Sequence, residues 1–173
     1  MKIYSIFAFK LFSFKFPDED ENELKRLLTI WRDPEFLEKF YHENRHDLRK
    51  CSFETFAQNI IDDANQLDDT LYDLSQHEFS NFDLFFKQLN NQEYQFTLLS
   101  KRKGRINNLR LYALKIDANC YVITGGAIKL THLMEERPHT LKELVKMDCC
   151  RRFLNENGVI DNESFYEFLI ENI

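Results

Sequence analysis

Glycine and proline are scarce, with four and three in 173 residues. That scarcity excludes collagen-like repeats and Gly/Ser or Pro-rich linkers, and it speaks against an all-β design rich in glycine turns. No run approaches the roughly 18–20 apolar residues that a membrane-spanning helix needs. The apolar opening from Met1 to Phe9 is interrupted by Lys10 and Lys15, and no small-residue cleavage site follows. A secretory signal is therefore not expected. The four cysteines, at 51, 120, 149 and 150, form neither a CxxC pair nor a zinc spacing. Two of them are adjacent, which fits reduced cytoplasmic thiols better than a disulfide framework. HExxH, EF-hand, Walker A and GxGxxG patterns are also missing, so no metal and no cofactor are expected.

Apolar and aromatic residues are plentiful. Hydrophobic side chains make up 43%, with 17 Phe and seven Tyr, enough for the packed core of one domain. Charged residues at 30% and a mean hydropathy of −0.50 describe a soluble chain. The formal net charge of −6 conceals a strong partition. Residues 1–100 hold 11 basic and 19 acidic side chains, residues 101–152 hold 12 and 5, and residues 153–173 hold none and 5. A basic island thus lies between acidic flanks, a pattern that points to a polyanion. Differing surface composition of helices and strands explains it equally simply.

The periodicity predicts an α+β fold: a small, mostly antiparallel sheet of about four strands packed by helices, with a helical insertion between its first and second strands. Residues 2–14, rich in Ile, Tyr and Phe, read as one central strand. Pro17 and the acids at 18–21 open a helix to about Ile30, and Asp33-Pro34 opens another to about Arg45. Phe53, Ala57, Ile60, Ala64, Leu67, Leu71 and Leu74 recur at helical steps, with Asp62, Asp63, Asp68, Asp69 and Asp73 opposite them as a solvent face. A short helix is expected over 79–89. Strands are expected at Tyr94–Leu99, Leu109–Ile116 and Cys120–Thr124, with a loop over 100–105 and a bulge or kink at Gly125-Gly126 before extended chain resumes to Thr131. Thr140 to Glu143 reads as a capping box opening a helix to about Asn155, and a last helix spans 162–171.

The segment Leu109-Arg110-Leu111-Tyr112, its hairpin return, and Ile128-Lys129-Leu130-Thr131 before a Lys/Glu-rich helix together resemble the RelE/HigB-type toxins of bacterial toxin–antitoxin pairs. In that superfamily an arginine begins a central strand, an aromatic follows two residues later, and the hairpin return ends in an apolar-Lys-x-Thr stretch. The match covers about residues 95–155. It divides the chain into a core at about 1–35 and 92–157, a helical insertion at 36–91 and a C-terminal helix at 161–172. The resemblance implies a metal-free endoribonuclease cutting messenger RNA on the ribosome, with a cognate antitoxin protein as partner and no membrane association.

Such chemistry needs a base for the 2′-hydroxyl, an acid for the leaving 5′-oxygen and cations around the phosphorane. Arg110, Lys129, His132 and Tyr112 are the candidate catalytic residues. Lys101, Arg102, Lys103, Arg105, Arg137 and His139 are candidates for holding RNA. Each has a plainer reading. The cations at 101–105 suit a solvated loop, Arg110 a structural ion pair, Tyr112 a core position, and the two histidines a cap or a carboxylate contact. Cys149 and Cys150, adjacent on a helix, should place at least one thiol in the core. Two features depart from the family: the chain is acidic overall, and the C-terminal catalytic residues find no clear counterpart in the apolar stretch at 165–170. The competing function is a non-catalytic interaction module using the aromatic, acidic helices.

Overall fold

The expected single strand at the start of the chain is a hairpin. In the computed structural model, which describes residues 1–48, 50–76, 81–89, 99–130 and 138–172, β1 (Lys2–Phe7) folds back antiparallel on β2 (Leu11–Lys15). The turn runs through Phe9 at φ 62°, a left-handed conformation that a bulky residue adopts only at a cost. Its ring sits 5.9 Å from that of Tyr166. No Gly, Asn, Asp or Pro marks the reversal, so the usual turn chemistry is silent there.

The class is α+β, with a mixed sheet of six strands in the order β1-β2-β6-β5-β4-β3. Every neighbouring pair is antiparallel except β2 with β6 (Cys120–Ile128), which run parallel over Leu11–Ser13 and Tyr121–Ile123. The central strand is β5 (Leu109–Asp117). Residues 100–105, expected to be a loop, form most of β4 (Ser100–Ile106). Charge hid this strand, because its alternating positions are cationic and not apolar. The strand expected at 94–99 lies outside the described residues save for Leu99. Tyr112 pairs with Gly125 and Ala113 with Ile123, leaving Thr124 as the extra residue of a bulge.

Helices cover both faces. On one lie α1 (Glu23–Ile30), α2 (Pro34–Glu43), α3 (Phe53–Gln76) and the short α4 (Phe82–Phe85). The chain starts α1 later than its acids imply, at the point where Asn22 accepts from the Lys25 N–H. Asp33 caps α2 with Pro34 at the first position, as expected. Leu27, Trp31, Ile60, Leu67 and Leu71 pack there on Leu109, Leu111 and Ile123. The helix expected over 79–89 becomes α4 and the two-residue β3 (Lys87–Gln88), with residues 77–80 outside the description.

On the other face α5 (Pro138–Glu156) and α6 (Asn162–Glu171) pack against Phe12, Phe14, Tyr112, Leu114 and Val122. Because α5 begins at Pro138, Thr140 lies inside the helix and does not cap it. Cys150 is buried in this core while Cys149 is exposed. No helix among the described residues is long and apolar enough to cross a membrane.

Candidate nucleic-acid interface

Strand geometry divides the cations of β4. Successive side chains point to opposite faces, and the antiparallel register pairs Lys101 with Leu114, Lys103 with Tyr112 and Arg105 with Arg110. These residues share the α5 face. Arg102 and Gly104, paired with Ala113 and Leu111, face the helical insertion. There Arg102 is buried and its Nε donates to Ser100 Oγ at 3.0 Å. A side chain at Gly104 would run into the Phe85 ring. Lys101 is held by Asp148 of α5 at 2.7 Å. The expected RNA-holding run is therefore split, and Arg102 faces away from the rest.

Lys103, Arg105, Arg110 and Lys129 gather at one end of the α5 face. Arg110 pairs across to Ala127, and the Lys129 N–H donates to the Asn108 carbonyl at 2.7 Å, extending β6 past the turn between β4 and β5. The charges crowd one another. The Lys103 ammonium is held below its ordinary pKa by burial and then by Arg110, Lys129 and Arg105. Burial also lowers Lys129, followed by Arg110 and Arg105. Arg110 is lowered by burial and by Arg105. Among the described residues no acid pairs with Arg105, Arg110 or Lys129. Uncompensated cations at this spacing favour a ligand bearing several negative oxygens.

Arg110 is only 5% exposed, and its Nη1 donates to the carbonyls of Asn107 at 2.7 Å and Leu109 at 2.8 Å. The turn that supplies them is pinned from α3. Asp63 Oδ1 accepts from Asn107 Nδ2 at 2.8 Å, and Oδ2 accepts from the Asn108 N–H and Nδ2, both at 3.1 Å. Asp63 was expected on the solvent face of its helix and is instead buried. The turn asparagines repay its burial with three hydrogen bonds.

Tyr112 lies wholly in the core, and its hydroxyl finds no hydrogen-bond partner among the described residues. Burial pushes its pKa up to about 12, with Glu143 adding to the effect and Arg110 opposing it. It thus takes the core position that its plainer reading gave it. His132, Arg137 and Thr131 lie outside the described residues. His139 belongs to the first turn of α5, and its side chain is likewise outside the description.

Glu143 was read only as part of a cap, yet it turns inward over Gly125. Its Oε2 occupies the space that a Cβ there would need, and that oxygen is buried with no hydrogen-bond partner among the described residues. The other oxygen meets Lys146 at 3.2 Å, and Lys146 in turn reaches the buried Glu23 at 2.5 Å. Burial raises the Glu143 pKa against the pull of Lys146. The only sequence signal for this position was the glycine pair that makes room for it. Beside it, a groove of about 520 Å³ opens between α1, α2, β6 and the start of α5, lined by Ile30, Trp31, Phe36 and Phe40 with Lys142 and Glu143 at its rim.

No family model, curated protein or solved structure matches the chain.

Proposed function

We propose that the cluster of Lys103, Arg105, Arg110 and Lys129 binds the phosphates of RNA, and that the protein is a RelE/HigB-like toxin that cleaves messenger RNA on the ribosome and is neutralised by an antitoxin. The carrying observation is the convergence of these cations on one sheet face, with no acid among the described residues neutralising three of them. Further support comes from the order of parts that prompted the resemblance: an arginine near the start of the central strand, an aromatic two residues on, a hairpin return and a closing helix.

The reaction needs little from the protein beyond charge and proton transfer. The 2′-oxygen attacks the adjacent phosphorus, its proton passes to a base, and the bond to the 5′-oxygen breaks as that oxygen gains a proton. A 2′,3′-cyclic phosphate and a 5′-hydroxyl result. Arg110 and Lys129 stabilise the charge that builds on the phosphoryl oxygens, the largest contribution at such sites. His132 and His139 are the candidate proton carriers, since imidazole titrates near neutrality.

Induced expression in bacteria tests this reading. The wild-type chain arrests growth with shortened messenger RNA, and the Arg110→Ala/Lys129→Ala variant, shown by thermal melt to be folded, does not. Undisturbed growth with folded wild-type protein overturns the toxin reading. It moves the weight to an interaction module, for which exposed Leu141 and Val145 on α5, at 57% and 58%, provide an apolar contact.

A further inference from the structure

Arg110, near the start of β5, is anchored to a turn held from a distant helix, and that connection carries a consequence for RNA binding. Its Nη1 is occupied by the carbonyls of Asn107 and Leu109. Among the described residues no other acceptor takes its Nε or Nη2 hydrogens. One edge of the guanidinium is thus anchored to backbone, and the remaining donors form the planar fork that grips two phosphate oxygens. The aim of that fork depends on where the Asn107 carbonyl points.

Asn107 has φ 40°, a left-handed conformation that asparagine takes readily in a tight turn, and contacts from outside the turn fix its position. Those contacts come from Asp63, 44 and 45 positions away in sequence, which accepts hydrogen bonds from the Asn107 side chain and from both the backbone and side chain of Asn108. Asn108 in turn accepts from the Lys129 N–H. A single buried carboxylate therefore holds the turn to which two of the four cations are hydrogen-bonded, Arg110 through Nη1 and Lys129 through its backbone N–H.

We infer that Asp63 is a positioning residue of the cationic site, clamping the Asn107–Asn108 turn so that Arg110 presents its free edge to a phosphate. It acts through the turn and not by direct ion pairing with Arg110. The inference rests on the RNA reading for its functional consequence, while its structural core stands apart from that reading.

Two measurements on the full chain test it. The first is nitrogen-15 NMR of the Arg110 guanidinium in wild type, Asp63→Ala and Asp63→Asn. Wild type gives slowed rotation and slow exchange of the Nη1 hydrogens. Asp63→Ala averages and accelerates them, and Asp63→Asn, which keeps one acceptor oxygen, falls between. The second is binding of a short oligouridylate RNA at several salt concentrations. Asp63→Ala weakens binding about tenfold, as expected for loss of one charge-assisted contact. It also lowers the slope of log K against log salt by about 0.7, one phosphate contact to a single strand. Arg110→Ala does the same, and the double variant loses no more than either single one.

Unchanged Arg110 signals in Asp63→Ala, or additive losses in the double variant, overturn the positioning role. Absence of wild-type RNA binding overturns the RNA reading instead, and the NMR comparison still decides whether Asp63 holds Arg110. Should Asp63→Ala unfold, Asp63→Asn answers by the same two comparisons.

Discussion

Tyr112 and Arg110 stand two residues apart on one strand face. Among the described residues no acceptor takes the Nε or Nη2 hydrogens of Arg110, and none partners the enclosed Tyr112 hydroxyl. An unpaired buried hydroxyl carries a desolvation cost, so Tyr112→Phe is expected to leave stability unchanged or raise it by about 1 kcal/mol. The midpoint of denaturant unfolding reads this directly. The same variant separates two roles under the proposed RNA-cleaving function: cleavage that survives Tyr112→Phe places the hydroxyl in the scaffold, and cleavage that disappears at unchanged stability returns it to the chemistry. The pH behaviour follows from the shift. A tyrosine raised from 10.0 to about 12 in the folded state gives stability that is complete below pH 10 and is lost between about 10 and 12. Two pH units correspond to about 2–3 kcal/mol. Tyr112→Phe should flatten that part of the stability profile.

At the scale of elements, β4 shows how an alternating strand sorts a run of like charges. Lys101 is committed to Asp148 of α5, Arg102 is buried on the opposite face, and Lys103 and Arg105 join the cluster. Removing Arg105 should therefore weaken RNA binding and reduce its salt dependence by about 0.7. Lys101→Ala should leave both nearly unchanged. Arg102→Ala should cost stability before it costs binding. Titration of the same RNA at several salt concentrations distinguishes the three. In the opposite layer α3 joins the core to the Asp63 clamp. Leu67, 1% exposed on that helix, is expected to cost 2–5 kcal/mol when cut to alanine, measured by denaturant unfolding at unchanged slope.

Across the whole molecule, the two faces of one sheet divide the labour. Acid-rich helices α1–α3 cover one side, and the four clustered cations, from the buried Arg110 to the exposed Arg105, lie at one end of the other. A net charge of −6 is thus compatible with a local anion site, because exposed charges beyond about 8–10 Å are screened at physiological salt. Several other groups, buried or half-buried, share the alkaline weakness of Tyr112. Cys120 is pushed up to about 11 from 9.0 by burial, and Tyr121 and Tyr166 are raised further. Each favours its protonated form in the fold, so stability declines as pH rises past about 9. Fluorescence of the buried Trp31 in an alkaline titration reports it, and a flat profile to pH 11 would contradict this account.

Local chemistry by itself determined much of the architecture. Asp33-Pro34 announces α2, the steps from Ile60 to Leu71 announce α3, and the α6 boundaries were read to the residue, where Asp161 and Ser164 form a capping box. Those signals act within a few positions, so neighbours in sequence carry them. Charge counts along the chain likewise located the basic island. Only the tertiary structure decided the rest. The turn at Phe9 has no turn residue and is closed by the Lys10 N–H donating to the Phe7 carbonyl and by Tyr166 of α6, whose hydroxyl donates to the Phe9 carbonyl. The strand β4 was hidden because cations stand where a strand's alternation would show apolar side chains, and only its neighbours in the sheet fix which face each one takes. Asp63 resembled every other aspartate on its helix until Asn107 and Asn108 arrived from 44 and 45 residues away. Pairing over such distances depends on sheet register and helix placement, and neither is encoded in a local window.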